Sequence, residues 1–200
     1  MMDFSFTEDA LKVVKWLVGS VLIRQYAEGE KRYFIITEAE VYRGEEDSAC
    51  HCKNGMTPRN KILYQEGGFI YIYLIYGMYY MLNFVTGTKH QPQAILIRGL
   101  QEIDLVNHQV KTQIHYNGPG KLTKAIDIDK SLNSKSLTKQ TTLRIIRLSP
   151  PHKAHFLEHK KRIGIEYADE QWKNILWRFI FNTKSYEKAY SLNYYRSVFD

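Results

Sequence analysis

Residues 67–88, GGFIYIYLIYGMYYMLNFVTGT, contain five tyrosines and no charged side chain. Aromatic and β-branched residues at this density favour pleated strands over helix. Gly77 lies near the middle, where a tight reversal needs a residue that tolerates positive φ. The stretch therefore predicts a β-hairpin with strands at about 69–75 and 79–85, and with Tyr76 held out at the tip.

Side chains alternate between the two faces of a strand, so Tyr71, Tyr73 and Ile75 are predicted to share one face of the hairpin. If the tyrosines packed in a core, each phenol group would need a buried partner, unless several of them line a cavity. A membrane span is the other alternative, since it needs roughly 17–25 mostly apolar residues. Tyrosine belongs at the membrane interface, however, and Asn83 would be costly at mid-depth. We therefore expect no membrane span.

Length and composition predict one domain covering residues 1–200. Hydrophobic residues make up 44% of the chain, which is enough for a sizeable core. The acidic sequence MMDFSFTEDA lacks the order of a signal peptide, and the only cysteines, Cys50 and Cys52, are too close for an ordinary disulfide. Both features favour a reducing, cytoplasmic setting. The net charge of +7 favours a polyanionic partner.

A strand predicted from Arg32 to about Tyr42 runs from apolar residues into two carboxylates. Glu38 and Glu40 are two residues apart, so both side chains face the same side of the strand. Two glutamates on one strand face are most often solvated. A carboxylate at the end of a core strand, beside aromatic strands, is also well placed for general-base work.

The next loop ends in the run Cys50-His51-Cys52. Cysteine and histidine are zinc ligands, but consecutive residues cannot all point at one ion, and no Cys-x-x-Cys partner exists elsewhere. We therefore expect no metal, and the alternative is a loop histidine hydrogen-bonded to neighbouring carboxylates. Thr57 and Pro58 then open a short helix that leads into the hairpin.

Beyond the hairpin, an apolar strand ends at Arg98. Residues 103–110 are predicted to be helical, and the polar stretch 107–116 is predicted to form a variable loop. The glycine-rich run at 117–120, followed by Lys121, is typical of a turn that opens a helix, where free amides and a lysine suit a phosphate.

Three histidines near the C-terminal end, His152, His155 and His159, have helical spacing. The lysines around them favour a solvated basic surface over a metal site. The sequence assigns no role to residues 182–200.

The order of these motifs resembles that of the alkyladenine (3-methyladenine) DNA glycosylases over roughly residues 10–181. The matching motifs are EAEVY at 38–42, the loop from Asp47 to His51, TPRN at 57–60, YIYLIYGMY at 71–79 with Asn83, IR at 97–98, GPGKL at 118–122, RIGI at 162–165 and WRF at 177–179. The resemblance implies an α+β single domain with a curved antiparallel β-sheet, surrounding helices and a protruding tyrosine β-hairpin.

The resemblance also implies roles for individual residues. Glu40 would take a proton from the attacking water, Arg98 would help to hold that water or a nearby phosphate, and Glu38 would be a structural partner. Tyr76 would fill the gap that a flipped nucleotide leaves in the duplex. Lys121 and Arg59 would contact the DNA backbone.

The flipped base would lie in a pocket formed by Tyr42, His51 and Tyr73, and Asn83 would clash with the 2-amino group of guanine. No lysine lies beside Glu40, so a monofunctional glycosylase without strand cleavage is expected. Its partner would be double-stranded DNA with a damaged purine, an alkylated or deaminated base, bound by a monomer without a cofactor. The alternatives are a non-catalytic module that binds distorted or damaged DNA, and an enzyme that acts on a nucleoside or RNA.

Overall fold

The structure is a computed structural model that describes residues 5–106, 109–137, 142–148 and 150–199. It is an α+β domain built on one curled antiparallel sheet with few helices. The strands are β1 (Val21–Gln25), β2 (Lys31–Arg43), β3 (Ile70–Ile75), β4 (Tyr79–Thr86), β5 (Gln93–Val106), β6 (Gln109–Asn117), β7 (Leu143–Ile146), β8 (Leu157–Lys160) and β9 (Arg178–Phe181). The α-helices are α1 (Ala10–Leu17), α2 (Pro119–Ala125), α3 (Glu170–Asn174) and α4 (Thr183–Ala189).

Strand β2 runs through the centre of the sheet and changes neighbour halfway along. Its first half pairs with β1 and its second half with β9, while β5 lies along its other edge throughout. The pairing with β5 slips at an irregularity around Glu38, opposite Gly99. A Cβ on Gly99 would lie 2.7 Å from Thr37 Oγ1 and 2.8 Å from Glu38 Cβ, so only glycine admits this approach. Bulges of this kind re-aim side chains next to active sites.

The core packs α1 and the C-terminal segments against the concave sheet. Asp9 is the N-cap of α1, because its side chain accepts a hydrogen bond from the Leu11 N–H. Tyr186 and Tyr195 are almost fully buried, and the Tyr195 hydroxyl donates to the Gly19 carbonyl at 3.0 Å. Residues 182–199, to which the sequence assigned no role, therefore complete the core.

The helix predicted at 103–110 is wrong, and so is the loop predicted at 107–116. Strand β5 continues to Val106 and β6 begins at Gln109, while residues 107 and 108 lie outside the described residues. Ile103 is buried beside an exposed Asp104, which is the two-residue alternation of a strand. Pairing between two long strands accounts for the described residues on either side of 107 and 108.

The basic segment around His152, His155 and His159 is not one helix. A 3₁₀ turn at Lys153–Phe156 is followed directly by β8. Lys153 is buried instead of solvated, because its ammonium donates to the Lys15 and Val18 carbonyls, both at 2.8 Å, at the C-terminal end of α1. Carbonyls at a helix C-terminus attract a cation, and this explains the burial.

No helix in the described ranges has the length and apolar character needed to cross a membrane.

Candidate active site

A cavity of about 720 Å³ opens between the β3–β4 pair, the loop that follows β2, and the turn before α2. Six tyrosines contribute to its wall. The lining includes Tyr42, Cys50, His51, Lys53, Arg59, Tyr71, Tyr73, Tyr76, Tyr79, Asn83, Arg98, Lys121, Ile163 and Tyr167. Most of the residues singled out from the sequence therefore converge on one concave site.

Strand alternation divides the side chains of β3 between two environments. Ile70 and Ile72 pack in the main core, whereas Tyr71 and Tyr73 face the cavity. The turn between β3 and β4 has positive φ at both central residues, 52° at Tyr76 and 69° at Gly77. This is the type I′ geometry, in which a bulky residue at the first position costs about 1–2 kcal/mol. Tyr76 is nevertheless there, and it is 83% exposed.

Glu40 is fully buried, one layer behind the cavity wall. Its Oε1 accepts the Ile163 N–H at 2.8 Å, and its Oε2 accepts the Tyr42 hydroxyl at 2.8 Å. Arg98 Nε lies 3.3 Å from Oε1. The three partners all line the cavity, so Glu40 lies directly behind its wall.

Burial raises the pKa of Glu40, opposed by Arg98 and by the hydrogen bonds from Ile163 and Tyr42. A carboxylate has about four lone-pair sites, so the three contacts leave about one acceptor position unused. A desolvated carboxylate with an unused acceptor position is suited to removing a proton from a water molecule that comes into contact with it.

Glu38, on the same strand, has a different environment. Its Oε1 lies 3.2 Å from Arg98 Nε and 3.1 Å from Arg178 Nη1. It is partly exposed and holds two guanidinium groups. Glu38 therefore fixes Arg98, whose Nε also approaches Glu40.

The ring of Tyr42 is held from behind by Arg162, a contact that the sequence did not predict. Arg162 Cζ lies 4.9 Å from the Tyr42 ring centroid and 5.4 Å from that of Trp177. Its guanidinium makes a bidentate ion pair with Asp47, at 2.6 and 2.9 Å, and both side chains are fully buried. Arg162 and Asp47 are 115 positions apart, so the only sequence signal was their presence in two separate matching motifs.

His51 stands on the tight loop that Asp47 organises. Its Nδ1 lies 2.9 Å from the Tyr71 hydroxyl, and its ring meets that of Tyr73 edge to face with centroids 4.5 Å apart. Its partner is therefore a phenol and not a carboxylate. His51 is exposed at one side, but the protein atoms around its ring displace water; this desolvation, with a smaller contribution from Arg59, lowers the pKa of His51 to about 4, so the ring is neutral at pH 7.

Asn83 is buried in the wall with a fixed amide group. Its Nδ2 donates to the Tyr71 carbonyl at 3.2 Å and to the Met81 carbonyl at 3.1 Å. Because both amide hydrogens are used in this way, the side chain cannot turn to suit a ligand. Asn83 is therefore a rigid boundary of the cavity.

Two exposed cations, Arg59 and Lys121, stand at the rim. Lys121 follows the turn at Gly118, where φ is +113°, and the start of α2 at Pro119. A Cβ on Gly120 would lie 2.8 Å from the Tyr79 ring, so glycine lets this ring pack on the turn.

Cys50 and Cys52 are both free thiols, buried beside His51. The hydrogen bond to Cys52 and then burial raise the pKa of Cys50, which lines the cavity as a neutral thiol. Within the described residues, no three His, Cys, Asp or Glu side chains are grouped so as to hold a metal ion.

Comparisons with known proteins agree over most of the chain. Residues 4–185 match the family described as methylpurine-DNA glycosylase. A Borreliella burgdorferi protein, provisionally named a 3-methyladenine DNA glycosylase, is 41% identical over 180 residues, which is 90% of this chain and 94% of that protein. Two other proteins with the same provisional name are also similar. The one from Natranaerobius thermophilus is 35% identical over 89% of this chain and 93% of its own length. The one from Chlamydia abortus is 36% identical over 92% of this chain and 98% of its own length.

Proposed function

The chain belongs to the methylpurine-DNA glycosylase family, and we propose that it draws a damaged purine out of duplex DNA into the aromatic cavity. It is a DNA-repair hydrolase of the 3-methyladenine DNA glycosylase type, acting on alkylated bases. The proposal extends its substrates to deaminated purines and assigns the steps to named residues. Base flipping is the general solution for enzymes that do chemistry on a base within a duplex.

The observation that carries the proposal is the buried Glu40 carboxylate behind a tyrosine-lined cavity of about 720 Å³, which has room for a purine. Glu40 takes a proton from water as the water oxygen bonds to C1′ of the sugar and the C1′–N bond breaks. The electron pair of that bond leaves with the base. The same negative charge stabilises the oxocarbenium-like transition state, as carboxylates do in glycoside hydrolysis. Arg98, held by Glu38, fixes Glu40 and the water.

Tyr42, Tyr73 and His51 are proposed to enclose the flipped base. Aromatic faces attract cations, and alkylation gives many purines a positive charge. The neutral state of His51 avoids repelling such a base and leaves its ring free to hydrogen-bond. Electron-poor purines are therefore preferred over normal ones.

Asn83 is proposed to reject normal guanine. Its amide is fixed by two carbonyls, so a purine 2-amino group that reaches it meets an obstacle that does not move. Discrimination by a fixed boundary needs no new attractive contact.

Tyr76 is proposed to fill the gap left in the duplex, and Lys121 and Arg59 to contact phosphates beside it. Tyr76 is the most exposed of the large apolar residues among those described, and it occupies a strained backbone position. Strain at such a position motivates a functional hypothesis. The net charge of +7 suits the binding of duplex DNA. The chain is proposed to bind DNA as a monomer, in the cytoplasm and without a cofactor.

The test is release of free base from a duplex oligonucleotide that carries one alkylated or deaminated adenine. Wild type is expected to release base and leave an intact abasic strand. Glu40→Gln is expected to bind the duplex and to lose at least about a hundredfold in rate, the lower range for a general base.

Glu38→Gln is the matched control, since the same change two residues away is expected to lose much less. If Glu38→Gln abolishes release and Glu40→Gln does not, the two glutamates exchange roles. If wild type and Glu40→Gln both bind the duplex and neither releases base, the chain is a binding module.

A further inference from the structure

We infer that Arg59 is a specificity residue: its guanidinium excludes a cationic base from the face of Tyr73 until a DNA phosphate draws it away. This inference rests on the proposed function and deepens it. It explains how a pocket that attracts positive charge stays closed to small cationic purines that are not part of DNA.

Arg59 lies over the ring that the base would use. Its Cζ is 5.5 Å from the centroid of Tyr73, within the range of about 6 Å for a cation–π contact. Its positive charge also acts on the Tyr71 phenol, which contacts His51, because it opposes the rise that burial causes in the pKa of Tyr71. One guanidinium therefore lies across the aromatic side of the cavity.

The backbone beneath Arg59 is fixed although the side chain is exposed. The neighbouring Asn60 is buried, and its Nδ2 donates to the His51 carbonyl at 2.9 Å and to the Gly55 carbonyl at 3.0 Å. Its Oδ1 accepts the Thr57 N–H at 2.6 Å. Arg59 can therefore change rotamer without disturbing the loop that carries it.

Arg59 differs from the other arginines of the site in its charge partners. Arg98, Arg162 and Arg178 each contact a carboxylate within 3.3 Å. No carboxylate in the described ranges lies within 4 Å of the Arg59 guanidinium. Phenol and ring contacts are weaker than the bidentate, charge-assisted bonds that a phosphate offers. A phosphate at the rim is therefore expected to take Arg59 from the ring.

As long as no phosphate binds Arg59, a cationic purine on Tyr73 would bring a second positive charge next to the Arg59 guanidinium. Two like charges in contact with one ring repel each other even at the effective dielectric constant of about 20 near a protein surface. A neutral purine of the same shape meets no such repulsion. The discrimination is thus against charge, and it depends on the absence of a phosphate.

The probes are two ribonucleosides of nearly equal shape, the cationic 7-methyladenosine and its neutral carbon isostere 7-deaza-7-methyladenosine. Affinities for the full chain are measured by equilibrium dialysis at one salt concentration. Wild type is expected to prefer the neutral nucleoside by about tenfold, equivalent to about 1.4 kcal/mol. Arg59→Gln is expected to bring the two affinities within about twofold or to favour the cation.

Lys53→Gln is the control, since Lys53 is another cation of the cavity wall, with Nζ 5.0 Å from the Tyr167 centroid. It removes the same charge away from Tyr73 and is expected to keep the wild-type preference. The 3′,5′-bisphosphate of 7-methyladenosine is expected to bind wild type more tightly than the nucleoside does, with a smaller gain for Arg59→Gln.

An equal preference in wild type and Arg59→Gln would overturn the inference and leave the proposed function intact. The same holds if base release from duplex DNA is observed but neither nucleoside binds Arg59→Gln, because removing the guanidinium should open the ring. If wild type releases no base from duplex DNA, the proposed function itself fails.

Discussion

The buried ion pair of Asp47 and Arg162 provides the sharpest test of how the site is held together. Asp47→Asn keeps the shape of the side chain and can still accept the Ala49 N–H that Asp47 now accepts at 3.0 Å. It leaves the Arg162 guanidinium fully buried without its counter-charge. Removing one partner of a buried pair costs about 3–5 kcal/mol. For a chain of this size that corresponds to a fall in Tm of about 6–20 °C.

The assay is thermal and urea unfolding of Asp47→Asn beside Glu158→Gln. Glu158 pairs with Lys160 at 2.6 Å, but both side chains are about half exposed, at 42% and 50%. An exposed pair contributes less than about 1 kcal/mol, so this control should unfold almost as wild type does. If Asp47→Asn also unfolds within about 1 kcal/mol of wild type, the reasoning about the buried pair is refuted.

A double variant separates stability from activity. Asp47→Leu with Arg162→Met leaves no unpaired charge and is expected to recover much of the stability lost in Asp47→Asn. It also removes the cation behind Tyr42, 4.9 Å from the ring centroid. Base release by the double variant should therefore stay reduced although the protein is folded, with the loss in KM more than in kcat.

Three further predictions concern the general base Glu40, the turn at Tyr76 and the cavity wall at Asn83. Burial raises the pKa of Glu40, so base release should decline on acidification at a higher pH than it would with an ordinary glutamate. Because the fold disfavours the ionised form, the Tm advantage of Glu40→Gln over wild type should grow as pH rises, and a constant difference would contradict this reasoning. Tyr76→Asn creates an Asn-Gly type I′ turn, so it should keep or raise Tm while lowering base release most for well-paired lesions. Met78→Ser on the same turn should not lower base release. Equal loss of release by Tyr76→Asn on paired and mismatched lesions would refute a wedge. Asn83→Ser should admit guanine lesions in an excision assay, and unchanged rejection would remove its discriminating role.

Local patterns were sufficient where one segment decides its own structure. Alternating tyrosine and isoleucine placed Tyr71 and Tyr73 on the face away from Ile70 and Ile72, which is where the structure has them. The alternation at Ile103 and Asp104 is ambiguous in the sequence, because apolar residues at 103, 106 and 110 also match helical spacing. Short segments that satisfy both periods cannot be assigned without the partner strand.

Contacts between distant segments were beyond the reach of the sequence. The lysines around Lys153 predict a solvated side chain. The structure buries it instead, because it binds carbonyls at the end of α1, more than a hundred residues away in the sequence. The Ile163 N–H that binds Glu40 is a backbone group, and no side-chain motif reveals it. The sequence thus named residues that the fold brings to one cavity, while the contacts that set the charge of Glu40 came from the fold.

The change of neighbours along β2 has a consequence for how the chain reaches its native state. The half of β2 that carries Glu40 pairs with residues near 96 on one edge and near 178 on the other. Such non-local pairing slows folding, and a strand edge that waits for its partner is open to pairing with other chains. The edge beside Glu40 stays open until β9 docks. Aggregation during refolding should therefore be most sensitive to substitutions in β9, and a peptide with the β9 sequence should compete for that edge while the chain refolds.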